Sequence, residues 1–251
     1  MSLLSPRFRR QGLFGFVLAC IIAAWGRGVE TRAGELLPEV QRYIEQRLVE
    51  GEQIPAARQA ELEELAGYVS QCLRAGRKAE LTFICTHNSR RSHLSQVWAK
   101  VAAAYFGIEN VHTYSGGTEV TALNPRVVAA LQRCGLVIDA DDVTALNPRY
   151  RVRFRQEGPP EICFSKRFDD PTNPAARFAA VMTCSQVDEA CPVVPNSELR
   201  LAITYQDPKA ADGTPDEQAV YDERTRQISR EMLYVMQRVA SELSPAVDTR
   251  R

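Results

Sequence analysis

A short apolar run, Leu81–Ile84, leads directly into Cys85, and a helical pattern begins a few residues later. From Leu94 onward, apolar residues recur at helical spacing through Val97 and Val101. A strand, a short loop and a helix in direct succession are typical of the βα units of a parallel sheet. We therefore expect Cys85 at the carboxyl edge of such a sheet, where α/β proteins place their ligands.

The same alternation continues along the chain. Three more apolar, β-rich runs lie at Val111–Ser115, Phe178–Thr183 and Leu199–Thr204, and helical patterns lie between or after them. Asn124 followed by a proline predicts the start of one of these helices. The sequence thus predicts an α/β fold in which a four-stranded parallel sheet carries helices on both faces.

Two segments lie outside this alternation. Residues 34–78 contain two amphipathic patterns, which predict a helical extension in front of a sheet domain at residues 79–245. Residues 143–178 predict a hairpin and loop inserted into that domain. The insertion begins with VTALNPR, which also occurs at 120–126, and we interpret the second copy as reuse of a local turn, since two copies do not make a repeat protein.

Residues 1–33 have the organisation of a targeting segment. Three arginines precede an uncharged apolar run from Gly12 to Trp25, and small and polar residues follow. This arrangement predicts a signal peptide with a mature N-terminus near Gly34, or a single membrane anchor, so that only this segment would meet a membrane. The alternative is an over-extended start on a cytoplasmic protein.

The composition excludes several classes of protein. Hydrophobic residues make up 45% and charged residues 25% of the chain, which is ordinary for a globular protein and excludes wholesale disorder or a multi-span membrane protein. The 31 basic residues balance the 31 acidic ones, so no nucleic-acid partner is predicted. The seven cysteines cannot all pair within the chain, which argues against a disulfide framework.

The residues around Cys85 predict an oxyanion-binding loop. Backbone N–H groups and the dipole at a helix start attract a tetrahedral anion and favour a thiolate. Arg91 can bind two anion oxygens as a fork, and Ser92 is placed to donate its hydroxyl to the sulfur. The alternative is a buried structural cysteine. Between Cys85 and Arg91 lie Thr86, His87, Asn88, Ser89 and Arg90.

This segment, ICTHNSRRS, resembles the phosphate loop shared by low-molecular-weight protein-tyrosine phosphatases and thioredoxin-coupled arsenate reductases. The resemblance continues through YSGGTE, NPR, VMTCSQVDEACP and YQDPKAADGT, and covers roughly residues 80–240. It implies that Cys85 is the nucleophile, that Arg91 binds the oxyanion and that Asp207 is the general acid. His87 stands where the family usually has glycine. Arg90 stands where many members have a second cysteine, and we expect it to add positive charge at the mouth of the site.

Two Asp-Pro pairs compete for the role of general acid. Asp170 lies in an FDDP string that by itself resembles the acid loop of the family, whereas Asp207 follows the fourth predicted strand. The acid must lie at the carboxyl edge of the sheet, above the nucleophile, so the order of elements favours Asp207. The alternative for either residue is a turn-initiating aspartate.

Cys184 and Cys191 distinguish the two branches of the family. In the thioredoxin-coupled reductases such a pair relays oxidation, and the resemblance therefore implies an arsenate reductase-like function for this chain. If the segment between them is helical, their Cα atoms lie about 10.5 Å apart, whereas a disulfide needs about 4.4–6.8 Å, so pairing requires the helix to unwind. The alternatives are a phosphatase that hydrolyses phosphomonoesters and a non-catalytic oxyanion-binding module.

The resemblance also limits the cofactors and partners. It implies no cofactor, an arsenate or phosphomonoester substrate, and a thioredoxin-like reductant for the relay. No metal site is predicted, because His87, His93 and His112 lack a ligand spacing with one another. If residues 1–33 direct export, the reductant would have to be an extracytoplasmic thiol donor.

Overall fold

The computed structural model describes residues 35–190 and 193–244. Within these residues no helix is both long enough and apolar enough to cross a bilayer. The predicted leader and Cys191 lie outside them. In chain order the elements are α1 (Pro38–Leu48), α2 (Ala56–Arg74), β1 (Ala79–Cys85), α3 (Arg91–Tyr105), β2 (Val111–Gly117), α4 (Pro125–Arg133), β3 (Val137–Ala140), β4 (Tyr150–Arg153), β5 (Glu161–Cys163), β6 (Phe178–Met182), α5 (Ser185–Ala190), β7 (Ser197–Ala202) and α6 (Glu217–Leu243).

The predicted four-stranded parallel sheet is confirmed, with the strand order β2-β1-β6-β7. The strand that ends at Cys85 is central in it. Cys85 lies opposite Gly117 of β2, and Ile84 lies opposite Met182 of β6. Because the strands run parallel, the segments that follow all three begin at one edge of the sheet.

Side chains alternate between the two faces of β1, and the two faces are covered unequally. Leu81 and Phe83 are fully buried in the main core, which they share with side chains of α1, α2, α3, α4 and α6. On the opposite face, Ile84 belongs to a smaller apolar cluster that includes Val187 of the six-residue helix α5. Helices on both faces are therefore confirmed, although the larger helical layer covers only one of them.

The N-terminal helices contribute to this main core. Val40 and Ile44 of α1 and Leu62 of α2 are fully buried in it. Burying one such side chain contributes about 1.5–3 kcal/mol to folding. The chain just before α1 also pairs with the inserted segment, because Leu37 N–H donates to the carbonyl of Phe154 at 3.0 Å.

The inserted segment forms a sheet of its own. The predicted hairpin is present as the antiparallel pair β4 and β5, and β3 extends it to three strands in the order β3-β4-β5. Val152 and Cys163 are buried, whereas Val137 and Ile162 are exposed. Strand β3 did not appear among the predicted strands because its four residues, VIDA, are too few to show a period of two.

Asn124 caps helix α4 as predicted. Its side-chain Oδ1 accepts a hydrogen bond from Arg126 N–H at 2.9 Å, and a proline follows it at the first helical position. Asn124 N–H in turn donates to the carbonyl of Ser89 at 3.0 Å. The start of α4 is therefore attached to the loop after β1.

Candidate active site

Cys85 ends β1, and the loop of residues 86–90 turns the chain into α3 at Arg91. Asn88 has a positive φ of 43°, the one left-handed position in this loop. In the described part of the chain, the N–H groups of residues 86–90 donate no hydrogen bond to a protein acceptor. Together with the start of α3, these N–H groups can bind an anion.

His87 fits the loop although the family usually has glycine at this position. Its φ is not among the positive values of the described residues, so the backbone there does not require glycine. The imidazole is exposed, with Nε2 3.4 Å from a Glu119 carboxylate oxygen. The carbonyl of His87 accepts hydrogen bonds from the hydroxyls of Thr121 (2.9 Å) and Ser165 (3.1 Å).

The Cys85 thiol is buried and lies in a chain of hydrogen bonds. Its Sγ is 3.1 Å from Ser92 Oγ, and Asn88 Nδ2 donates to the same hydroxyl oxygen at 2.9 Å. Because Asn88 uses an acceptor site of Ser92, the hydroxyl proton of Ser92 is available to the sulfur. The Ser92 hydroxyl can therefore donate to the sulfur of Cys85, which is 4% exposed.

Arg91 and Asp207 meet beside this loop. Arg91 is buried and donates from Nη1 to the carbonyl of Tyr205 (3.0 Å) and from Nη2 to Asp207 Oδ2 (2.8 Å). Its Nε is also buried but bonds to none of the residues described, which leaves this N–H for an anion oxygen. Asp207 Oδ1 accepts from Lys209 N–H at 3.0 Å, so the carboxylate is held at the start of a short 3₁₀ turn.

The competing aspartate makes a different contact. Asp170 is hydrogen-bonded to Thr172, whose N–H and hydroxyl lie 2.9 and 2.6 Å from Asp170 Oδ1. These bonds lower the pKa of Asp170, as in a turn-initiating aspartate. The structure thus brings Asp207 to Arg91, and Asp170 has no contact with either Arg91 or Cys85.

Arg90 does not present the free charge that its sequence position suggested. Its guanidinium donates to the hydroxyl of Tyr221 (2.8 Å) and to Asp212 (3.1 Å), and it lies 4.0 Å from Asp207. Burial, with the acceptor Asp212 beside it, raises the pKa of Tyr221 to about 12, so this hydroxyl stays protonated and donates to Asp212 at 2.7 Å. The charge of Arg90 is therefore balanced by carboxylates.

Cys184 lies next to the loop, directly after β6. It is fully buried, its Sγ is 3.6 Å from Thr86 Oγ1, and it belongs to the same small apolar cluster as Cys85. Thr183 joins the ends of the two strands, because its N–H and hydroxyl donate to the carbonyl of Ile84 at 2.7 and 2.9 Å. Two of the predicted redox thiols thus lie at one edge of the sheet, whereas Cys191 lies outside the described residues.

The insertion contributes to this site, which its sequence did not indicate. Lys166 N–H donates to Asn88 Oδ1 at 2.8 Å, and the Ser165 hydroxyl reaches the loop carbonyl of His87. Both VTALNPR copies converge on Ser165, since Thr121 N–H donates to its hydroxyl (2.9 Å) and Asn147 bonds to its backbone N–H and carbonyl (3.1 and 2.8 Å). The repeat was visible in the sequence, but this convergence was not.

The histidines do not form a ligand set in this structure. Burial, and then the charge of Lys166, lower the pKa of His93 to about 3, so it is neutral at physiological pH; its Nδ1 lies 3.2 Å from Ser115 Oγ. His112 lies on β2, and burial lowers its pKa too. Over residues 35–190 and 193–244, no group of three or more ligating side chains is close enough to hold a metal ion.

Gly117, in the YSGGTE motif, ends β2 and lies too close to the loop after β1 to carry a side chain. A Cβ on Gly117 would lie 2.7 Å from the carbonyl oxygen of Thr86 and 2.8 Å from the backbone nitrogen of Asn88. We expect Gly117→Ala to lower the free energy of unfolding by about 1–3 kcal/mol and activity by at least about tenfold, since the loop must move.

Thermal unfolding and kcat/KM measure these two effects. Gly67→Ala is the matched control, because Gly67 lies inside α2 with nothing within 4 Å of its added Cβ. That change should stabilise the protein by about 0.5–1 kcal/mol and leave activity unaltered. Wild-type activity in Gly117→Ala would show that the loop tolerates displacement.

Arsenate reductases and a phosphatase are among the known proteins to which this chain is similar. No protein-family model matches the chain. It is 31% identical over 144 residues to an arsenate reductase of Bacillus subtilis, an alignment that covers 57% of this chain and 84% of that protein. Among solved structures, a low-molecular-weight phosphotyrosine phosphatase from Vibrio cholerae O395 (12% identity, TM-score 0.42) covers 63% of this chain and 95% of that chain.

A thioredoxin-dependent arsenate reductase from Corynebacterium glutamicum (20% identity, TM-score 0.38) covers 78% of this chain and 85% of that chain. The sequence relationship to the Bacillus enzyme, together with the fold described above, settles the family. The chain belongs to the superfamily of low-molecular-weight protein-tyrosine phosphatases and thioredoxin-coupled arsenate reductases, and it is an enzyme of one of these two types.

Proposed function

We propose that this enzyme reduces arsenate, with Cys85 as nucleophile and Cys184 as the second thiol. The observation that carries the proposal is the position of Cys184, whose sulfur lies 3.6 Å from the hydroxyl of the loop residue Thr86 and in the same apolar cluster as Cys85. A phosphatase needs no second thiol at this position. The arsenate reductase of Bacillus subtilis supports the same choice.

In the first step the loop N–H groups and Arg91 bind arsenate, and the Cys85 thiolate attacks arsenic. An S–As bond forms and an As–O bond breaks, and the departing oxygen takes protons from Asp207 or solvent and leaves as water. Asp207 now accepts from Arg91 Nη2. A bound oxyanion would compete with the carboxylate for that donor.

In the second step the Cys184 thiolate attacks Cys85 Sγ. The electron pair of the S–As bond stays on arsenic, so that arsenic(V) becomes arsenic(III) and leaves as arsenite, and the two cysteines form a disulfide. Cys191 then attacks Cys184 and releases Cys85 as a thiolate. An external dithiol of the thioredoxin type reduces the resulting Cys184–Cys191 disulfide.

Helix α5, Ser185–Ala190, is the segment that must rearrange for this last exchange. Seven residues at helical spacing span more than a disulfide allows, so we expect Cys184 and Cys191 to pair only when this helix unwinds. It is a single short helix, and few backbone hydrogen bonds have to break for it to unwind. We propose that oxidation itself drives this conformational change.

The relay predicts a covalent intermediate in Cys191→Ser. This variant should release about one equivalent of arsenite and then stop, because the Cys85–Cys184 disulfide has no internal resolving thiol. Mass mapping after one turnover should show that disulfide, and hydrolysis of p-nitrophenyl phosphate should stay near the wild-type rate. Multiple turnovers of arsenate at the wild-type rate would eliminate the relay.

Cys134→Ser is the control for a general effect of losing a thiol. Cys134 is buried, its Sγ lies 3.2 Å from the carbonyl of Ala130, and a serine hydroxyl can donate there. Burial raises the pKa of this thiol to about 12, so it contributes no thiolate at neutral pH. We expect multiple turnovers and no trapped disulfide in this control.

A phosphatase is the second candidate, and the position of Asp207 favours it. A phosphatase needs an acid beside its anion-binding arginine, because the leaving oxygen of the phosphomonoester must be protonated. Parallel assays of arsenate with a thioredoxin system and of p-nitrophenyl phosphate without it distinguish the two activities. Oxyanion binding with turnover of neither substrate would identify a non-catalytic binding module.

A further inference from the structure

Arg58 connects the N-terminal helical segment with the candidate acid loop, the residues that lead from β7 to Asp207. It lies in the first turn of α2, and its side chain is 14% exposed. Its Nη2 donates to the carbonyl of Thr204 at 2.9 Å, and its guanidinium carbon lies 4.8 Å from the ring centroid of Tyr205. Both contacts are to residues directly before Gln206 and Asp207.

A buried carboxylate holds the guanidinium in this orientation. Arg58 Nε donates to Glu231 Oε2 at 3.0 Å, and Glu231 of α6 is 2% exposed. Gln227, one turn earlier on the same helix, donates to the other oxygen of Glu231 at 3.1 Å. Because both partners are removed from water, this pair has little freedom to reorient, unlike a surface ion pair.

Two arginines therefore bind two successive carbonyls of the acid loop. Arg58 binds that of Thr204 and Arg91 binds that of Tyr205, at 3.0 Å. Tyr205 N–H donates to the carbonyl of Thr183, which fixes the start of the loop on β6. Arg91 is the proposed anion-binding group, so a substrate will perturb its contacts, whereas Arg58 binds the preceding carbonyl and does not take part in anion binding.

We propose that Arg58 is a positioning residue that holds the Asp207 carboxyl in place. Helix α2, which carries Arg58, would then contribute to catalysis as well as to the core. The inference rests on the proposed role of Asp207 as general acid. Arg58 contacts neither the loop of residues 86–90 nor Asp207 itself. It acts through the backbone of Thr204 and the ring of Tyr205, which lie three and two residues before the acid.

The test compares two aryl phosphates whose leaving groups differ in their need for a proton. Phenyl phosphate needs the acid far more than p-nitrophenyl phosphate does, because phenolate is the poorer leaving group. In Arg58→Met we expect the ratio of kcat/KM for p-nitrophenyl phosphate to that for phenyl phosphate to rise at least about fivefold over wild type. A purely structural role would lower both values together and leave the ratio unchanged.

Arg74→Met is the matched control. Arg74 is the last residue of the same helix and also binds α6, since its Nη2 donates to the carbonyl of Glu242 at 2.8 Å, but it does not contact the acid loop. In Arg74→Met, the ratio of kcat/KM for p-nitrophenyl phosphate to that for phenyl phosphate should equal the wild-type ratio. The melting temperatures of both variants show whether the loss of a hydrogen bond to α6 lowers the stability of the protein.

Arg58→Lys keeps the test decisive if Arg58→Met does not fold. A lysine preserves the charge opposite Glu231 but cannot also provide the planar fork that reaches Thr204, so the ratio should again rise. A wild-type ratio in a folded Arg58 variant would overturn the inference and leave the proposed function intact. Wild-type enzyme that turns over neither arsenate nor aryl phosphate would overturn both.

Discussion

Cys85→Ser should lower turnover of arsenate and of aryl phosphate by at least about 10³-fold, because a serine hydroxyl is a far weaker nucleophile than a thiolate. Oxyanion binding should survive. The N–H groups of residues 86–90 and the guanidinium of Arg91 do not depend on the sulfur, and Ser92 Oγ can bond to the new hydroxyl as it does to Cys85 Sγ.

Steady-state kinetics and calorimetric titration with phosphate measure the two properties separately. Cys134→Ser, in a thiol remote from the loop, should keep the activity of wild type. Retained turnover in Cys85→Ser would refute the role of Cys85 as nucleophile, and with it both candidate reactions. Loss of phosphate binding together with turnover would mean that the thiol supports the loop rather than reacting.

Arg91→Lys should have the second-largest effect, a loss of about 10²-fold or more in kcat/KM. Arg91 now makes two hydrogen bonds from its terminal nitrogens, to Tyr205 and to Asp207, and keeps its buried Nε for an anion. A lysine supplies one compact charge and cannot serve the backbone, the acid and the substrate at once. Affinity for phosphate should fall as well.

Arg126→Lys is the control for the effect of replacing any guanidinium near the carboxyl edge of the parallel sheet. Arg126 is 38% exposed, and its Nε lies 2.8 Å from Glu217 and 3.7 Å from Asp212, the partner of Arg90. It makes no hydrogen bond to Cys85, Arg91 or Asp207, so its replacement should change kcat/KM little. Equal effects of the two substitutions would show that Arg91 contributes only net charge. An unaltered phosphate affinity in Arg91→Lys would remove Arg91 from the anion site.

The choice between Asp170 and Asp207 as the candidate general acid shows that the order of elements along the chain was informative. The sequence around Asp170, FDDP, resembles the acid loop of the family more closely, yet Asp170 forms a turn with Thr172. Asp207 instead accepts a hydrogen bond from Arg91. The order of strands favoured Asp207, because the segments that follow the strands of a parallel sheet begin at the edge where the Cys85 loop lies. Its chemical role stays a prediction.

Arg90 shows the opposite case. Its position beside Arg91 suggested free positive charge, but Asp212 and Tyr221 lie 122 and 131 residues farther along the chain and pair with it only after folding. Contacts between Lys166 and Asn88, and between Arg58 and Thr204, span 78 and 146 residues. No local pattern records such pairings, because they depend on how separate elements pack.

Local sequence patterns account for the parts of this protein that are built from neighbouring residues. The strand, loop and helix around Cys85 depend on a period of two, a polar loop and a period of 3.6, all within about 25 residues. The alternation of such units determined the parallel sheet. The side chains that support the loop and the acid follow from tertiary packing instead. The pairs Arg58–Glu231 and Lys166–Asn88 form only when distant segments come together and exclude water.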